Sequence, residues 1–213
     1  MLMRVGEFHT LDAAACRLID VVAAGCGLAA LGPAFVCVGL WVKAEDRGPV
    51  FYRARRVGRD GKAFDTLKFR TMRVGSDRLG PAITISGDDR VTRVGRHLRR
   101  LKLDELPQLW NVLVGDMSLV GPRPEDPKYV PYYSEAQRAV FDARPGITSP
   151  ASLKFRNEAD VLRGLDWERK YREEVLPQKL AMDLEYLRRR TVVSDLALVF
   201  RTIGALVGKG AGG

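Results

Sequence analysis

From Val21 to Val42 the chain runs 22 residues without a charge. A helix of that length is long enough to cross the hydrocarbon core of a bilayer. Four glycines, Gly25, Gly27, Gly32 and Gly39, weaken its helix preference. Gly32-Pro33 falls near the middle, where proline removes one helical hydrogen bond and encourages a kink. Arg4 and Arg17 precede the run, while Lys43, Arg47, Arg53, Arg55, Arg56 and Arg59 follow it. The heavier downstream cluster puts that end, and the body of the protein, on the cytoplasmic side. A cleaved signal peptide does not fit, because the apolar region is too long and a basic cluster follows it. Two readings stay open on the residues alone. A straight single span is the simpler one, since a kink does not by itself reverse a helix. A broken helix that dips in and returns to the same face is the other.

The remaining length, within 213 residues, suits one soluble domain. A net charge of +9 calls for an anionic partner: nucleic acid, anionic lipid headgroups or phosphorylated small molecules. Cys16, Cys26 and Cys37 all lie in the apolar N-terminal stretch, odd in number and without a CxxC pair or a matching histidine cluster. They read as small apolar residues rather than as a disulfide frame or a zinc site. The last residues, 208–213, read as a frayed tail.

The chemistry concentrates between Leu101 and Pro124, in LKLDELPQLWNVLVGDMSLVGPRP. Leu103, Leu106, Leu109, Trp110 and Leu113 recur at helical spacing. That places Asp104 as an N-cap, Pro107 in the first turn, and both Asp104 and Glu105 at the positive end of a helix dipole. Arg93, Arg96, Arg99, Arg100 and Lys102 lie upstream, and Gly121-Pro122-Arg123-Pro124 makes a rigid turn that presents one arginine. A carboxylate can attack phosphorus, and a hard cation such as Mg²⁺ can bridge carboxylate and phosphate oxygens. The plain alternative is that the two acids merely cap a helix.

Further motifs are less specific. Phe64–Met72, FDTLKFRTM, alternates as a strand with Lys68 and Arg70 on one face. Those cations either grip a diphosphate or form a solvated basic strand. Residues 74–89 read as a surface loop. Asp88 and Asp89 read as loop acids and His97 as an exposed side chain. A short helix capped by Ser134, two helices parted by Pro177 and a last helix capped by Ser194-Asp195 complete the C-terminal third. The last helix can pack on the domain or lie in the membrane surface.

LDELPQLWNVLVGDMSLVGPRP, YRARRVGRDGKAF and LKFRTM together resemble the bacterial sugar transferases, monotopic phosphoglycosyl transferases that start glycan assembly on a polyprenyl lipid. The resemblance runs from Arg17 to Val207. It implies a mixed α/β fold, mostly helical with a small sheet. An N-terminal re-entrant membrane helix hairpin over 1–47 is broken at Gly32 and Pro33, after Arg17 and Asp20. A cytoplasmic catalytic domain follows over 48–207. It implies transfer of a sugar-1-phosphate from a UDP-sugar to undecaprenyl phosphate at the bacterial inner membrane. Asp104 becomes the nucleophile that carries the phosphosugar, and Glu105 holds Mg²⁺ or polarises the incoming group. Mg²⁺ sits on Asp104 and Glu105, and Lys68, Arg70, Arg99 and Arg123 neutralise phosphate. Membrane lipid is then a partner and nucleic acid is not, while a homodimer stays open. The competing readings are a membrane-tethered basic module that binds anionic lipid or nucleic acid, and a hydrolase of nucleotide sugars. Three positions depart from the family pattern: Gly32 and Lys102 each replace a small hydroxyl residue, and Ser149–Glu158 diverges as a block.

Overall fold

The computed structural model describes residues 10–76, 80, 87–162, 164 and 166–207. Arg4, His9, the middle of the expected 74–89 loop and the 208–213 tail lie outside the described residues.

One helix, α1 (Thr10–Asp46), dominates the N-terminal part and contains Pro33. It is about 55 Å long at 1.5 Å per residue. It is long and apolar enough to cross a membrane. Two separate arms of a hairpin are not seen, because the helix runs on through Gly32-Pro33. Its inward residues recur at helical spacing: Cys16, Asp20 and Ala24 are buried, Phe35 and Val38 are partly buried, and Val42 is buried. The opposite face exposes Leu18, Val22, Val36, Leu40 and Trp41.

Polar bonds fasten both ends of α1 to the rest of the chain. Near the start, Arg17 donates to the Val112 and Leu113 carbonyls at 2.6 and 2.9 Å, and Asp20 accepts the Leu119 N–H at 2.9 Å. Near the end, Glu45 accepts the N–H groups of Arg93 and Val94 at 2.7 and 3.1 Å. Asp46 takes both terminal nitrogens of Arg70.

The sheet content is small, as expected, and divided in two. Strands β1 (Phe51–Val57) and β2 (Ala63–Phe69) form an antiparallel hairpin with Tyr52 opposite Lys68. Its loop puts Asp60 and Gly61 at positive φ. Strands β3 (Ser118–Val120) and β4 (Gly146–Thr148) pair in parallel. Their crossing needs glycine on both sides. A Cβ on Gly121 would lie 2.3 Å from the Arg144 carbonyl oxygen, and one on Gly146 would lie 2.1 Å from the Gly121 nitrogen.

Helices α2 (Arg93–Arg100) and α3 (Gln108–Val114) flank the dyad. The expected single helix from Asp104 does not form. Leu103–Glu105 is a 3-10 turn, and Pro107 occupies the N-cap position of α3 without a side-chain capping bond. Proline has no N–H to lose there, so the helix restarts after it.

The C-terminal third packs α4 (Pro150–Lys154) against α7 (Leu176–Arg188), with a single turn, α5 (Glu158–Val161), after α4. A short helix, α6 (Trp167–Lys170), runs into a π-helical turn, Tyr171–Val175, and then into α7 without a break. Pro177 therefore parts nothing: it lies within this continuous run, directly after the wider π-helical turn, which takes up the irregularity its missing N–H imposes. Tyr129, Tyr133, Leu162, Tyr171, Val175 and Leu180 form the core there. The Ser134 segment is 3-10, Gln137–Asp142, and Ser134 and Gln137 cap each other reciprocally. The last helix, α8 (Val192–Val207), starts one turn earlier than expected, with Thr191 accepting the Ser194 N–H at 3.1 Å.

Helix α2 also presses its backbone on the β2 exit, since a Cβ at Gly95 would lie 2.1 Å from the Thr71 carbonyl oxygen. Gly95→Ala should therefore cost about 1–3 kcal/mol, the usual range for overpacking. Urea unfolding of the detergent-solubilised chain, followed by tryptophan fluorescence, checks this; an unchanged midpoint would contradict the packing.

Candidate active site

The turn that carries the two acids begins at Lys102, whose φ of 57° is left-handed. A non-glycine residue pays roughly 1 kcal/mol or more for that conformation. The turn buries Asp104 while Glu105 enters a cluster of cations.

Glu105 is fully engaged. Its Oε1 accepts Lys68 Nζ at 2.8 Å and Arg123 Nη2 at 2.6 Å, and its Oε2 accepts Arg123 Nη1 at 3.3 Å. Burial alone would push its carboxyl upward. Arg123 and Lys68 outweigh that and hold it well below the ordinary glutamate value. Burial pushes the Lys68 ammonium down, opposed by the charge of Glu105. Arg123 is held more strongly protonated by Glu105.

Asp104 is the opposite case. Among the described residues it caps nothing, and its buried Oδ1 has no hydrogen-bond partner. Burial, and then the charge of Glu105, raise its carboxyl above the ordinary aspartate value, against Lys68, Arg99 and Lys102. Arg99 reaches this space from the last turn of α2, with its Nε bonded to Thr71 Oγ1 at 2.7 Å. Lys68, Arg99, Lys102 and Arg123 thus oppose two carboxylates, leaving positive charge in excess.

Each cation is placed by a specific local device. Asn111 on α3 clamps β2 with both ends of its amide: Oδ1 accepts the Leu67 N–H and Nδ2 donates to the Asp65 carbonyl, both at 2.8 Å. That fixes Lys68 beside Glu105. The Gly121–Gly146 crossing directs Arg123 from the other side. Arg70 does not join the group. Its guanidinium is taken up by Asp46 and by the Pro49 and Met72 carbonyls, and it ties α1 to the hairpin. Gly32 and Pro33 lie within α1, away from these bonds. Asp88 bonds Arg90 side chain to side chain, and His97 Nδ1 contacts the Arg93 carbonyl at 2.9 Å.

Among the described residues no group of three or more His, Cys, Asp and Glu side chains comes together to hold a metal. Mg²⁺ does not require one, because it is often bound through one or two carboxylates completed by substrate phosphates and water. The orphaned Asp104 oxygen fits that requirement, whereas both Glu105 oxygens already carry cations.

All of this opens on one cavity of about 2260 Å³, reaching from Leu31 of α1 past the dyad to α7. Its far wall contains residues that the sequence reading did not single out, Lys179 and Asp183 on α7. A lysine and an aspartate four apart on a helix ordinarily make a surface pair; here the packing of α7 on α4 turns them inward.

The bacterial sugar transferase family profile matches residues 11–209. Over 195 residues the chain is 40% identical to a UDP-glucose:undecaprenyl-phosphate glucose-1-phosphate transferase of Caulobacter vibrioides, covering 90% of this chain and 69% of that protein. It is 35% identical over 216 residues to the exopolysaccharide production protein ExoY of Sinorhizobium fredii, covering 94% and 89%. It is 34% identical over 198 residues to a UDP-N-acetylgalactosamine-undecaprenyl-phosphate N-acetylgalactosaminephosphotransferase of Aeromonas hydrophila, covering 90% of this chain and 43% of that protein.

Removing the charge of Glu105 leaves two cations facing each other without a counter-ion. Glu105→Gln should destabilise the fold by about 3 kcal/mol, toward the low end for a broken buried pair because Arg123 keeps some solvent contact. Adding Lys68→Met should restore part of the loss. A double-mutant cycle by urea unfolding reads the coupling, and strict additivity would mean the ion pair is not formed.

Proposed function

The chain belongs to the bacterial sugar transferase family, and from that membership we propose that it transfers a sugar-1-phosphate from a UDP-sugar to undecaprenyl phosphate. The relatives differ in their sugar, so the sugar itself is left to experiment. The observation that carries the mechanism is the unequal state of the two acids. Glu105 is neutralised by Lys68 and Arg123, while a buried oxygen of Asp104 has no partner.

An unpartnered, desolvated carboxylate is a better nucleophile than a hydrogen-bonded one. In the first step an Asp104 oxygen forms a bond to the sugar-linked phosphorus. The bond from that phosphorus to the bridging oxygen breaks, and UMP leaves with the electron pair. In the second step an oxygen of the lipid phosphate attacks the same phosphorus. The acyl phosphate bond breaks and the Asp104 carboxylate is regenerated. Lys68, Arg99 and Arg123 compensate the phosphate charge as the bonds change. Glu105 keeps Lys68 and Arg123 in place. If Mg²⁺ is bound, the Asp104 oxygen that does not attack would hold it, and the ion would supply charge that reduces repulsion between the anions. The bonds made by Arg70 favour a structural role over phosphate binding.

The setting is a membrane face. Both ends of α1 bond to the same charged body, through Arg17 and Asp20 at one end and Glu45 and Asp46 at the other. A crossing helix would have its ends on opposite sides of roughly 30 Å of hydrocarbon. That body cannot follow it through, so the bonding supports a helix that enters one leaflet from the cytoplasmic face. The hydrogen bond that Pro33 removes inside α1 supplies a weak point for such an entry. Leu18, Val22, Val36 and Leu40 then face lipid.

Two outcomes are expected. With labelled UDP-sugar and Mg²⁺ but no lipid, the wild-type chain should retain about one sugar phosphate on Asp104 and release matching UMP. Asp104→Asn should do neither while staying folded. Continued UMP release without lipid would point to a hydrolase instead. Because burial raises the Asp104 carboxyl, and only its anion attacks, the rate should fall with acid at a pH above the ordinary aspartate range. A kcat/KM profile against pH checks this; an acid limb at ordinary aspartate values would contradict it.

A further inference from the structure

Beyond Arg123 the cavity wall carries a second ionic group. Lys179 Nζ donates to Glu158 Oε1 at 2.9 Å and lies 5.2 Å from the centre of the Tyr171 ring. Lys179 is buried, and the Glu158 side chain is about one quarter exposed. Asp183, also buried, accepts the Ala151 N–H at 3.2 Å. Glu158, Lys179 and Asp183 line the same cavity as Asp104 and Glu105.

A pair of this kind is not explained by stability, since an apolar pair in its place is often as stable or more so. Its position suggests a use. Arg123 feels the charge of both Glu105 and Glu158. The dyad side of Arg123 has cations in excess. Beyond it the wall carries both signs, with Glu158 and Asp183 beside Lys179 and Arg156. Phosphate is drawn to the dyad, where cations are in excess, rather than to this stretch. What enters this stretch is the uncharged part of the donor. Glu158 Oε1 is occupied by Lys179, while Oε2 has no partner among the described residues. A fixed carboxylate oxygen of that kind accepts protons from hydroxyl groups, and a sugar ring is the part of a nucleotide sugar that supplies them.

On the transferase reading above, we propose that Glu158, held in place by Lys179, accepts hydrogen bonds from ring hydroxyls of the sugar donor and so makes a sugar subsite beside Arg123. The hydroxyls belong either to the transferred hexose or to the ribose of the nucleotide, and the chemistry is the same for both. The Ser149–Glu158 block ends on this residue, so its divergence falls where the donor would be sorted.

The test uses the full chain in detergent. Wild-type turnover of UDP-sugars is measured first by UMP release. If no UDP-sugar is turned over, the transferase reading fails and this inference falls with it. With the donor that is turned over, equilibrium binding is measured on Asp104→Asn alone and with Glu158→Gln added. Loss of a charged hydrogen bond should weaken donor binding about ten- to a hundredfold. If UMP binding is unchanged, the hexose is the partner; if UMP binding weakens equally, the ribose is. A donor lacking one ring hydroxyl separates binding from mere structure. It should bind more weakly than the parent donor on Asp104→Asn, and the two should bind alike once Glu158→Gln is added. Wild-type turnover together with unchanged donor and UMP binding in the folded Glu158→Gln variant overturns the subsite. A deoxy penalty that persists at full size for every ring hydroxyl does so as well.

Discussion

An anion taken out of water costs several kcal/mol unless its charge and lone pairs are met. Glu105 is such an anion, and Lys68 and Arg123 meet it from two unrelated pieces of chain. Much of the local architecture follows from bringing those pieces together. Lys68 arrives on β2, which Asn111 pins to α3. Arg123 arrives on a turn that exists only because Gly121 and Gly146 allow two backbones to touch. The same cluster explains why Asp104 stands apart. Once the neighbouring acid has taken both strong donors, a buried oxygen is left over.

The long helix does more than reach a membrane. Helix α2 is capped at its N-terminus by Glu45, and its last turn presents Arg99. Helix α3 has C-terminal carbonyls held by Arg17, and its N-terminus follows the dyad. Opposite charges at those ends complement the helix dipoles. Both helices that flank the reacting centre are thus fixed at their far ends by side chains of α1. The height of the site relative to α1 is set by bonded geometry, not by a linker. A soluble donor and a lipid acceptor need such a fixed height if one side chain is to serve both.

The adjacent acids were legible because a long contiguous motif carries them, the N-terminal helix because an uncharged run carries it, and the strand around Lys68 because alternation does. The sequence did not reveal the 3-10 turn at the dyad. Leucine spacing alone does not register that a left-handed Lys102 and a following proline break the helix into two pieces. Lys68 and Arg70 looked equivalent at two-residue spacing, yet one meets Glu105 and the other meets Asp46, a partner 24 residues away. Pro177 looked like a boundary, but the helical run continues through it, and proline as a residue type does not announce the π-helical turn that precedes it. Lys179 and Asp183 carried no local signal, because their role depends on which way α7 is turned by its core residues.

The charge balance also bears on why one site could run two transfers. In the proposed cycle the first leaving group is a phosphate monoester, UMP. The second attacking group is also a phosphate monoester, on the lipid. The two differ in what hangs from the phosphate, not in the charge presented to Lys68, Arg99 and Arg123. The cations that stabilise departure of the first therefore suit arrival of the second. Between the steps the phosphosugar is bonded to Asp104, whose own charge has been consumed in making that bond. The phosphate now bonded there carries one negative charge in its place, so the positive excess around the dyad is kept and meets the next phosphate. If the hexose is what Glu158 holds, it would stay put through both steps, while the phosphates exchange beside Lys68, Arg99 and Arg123.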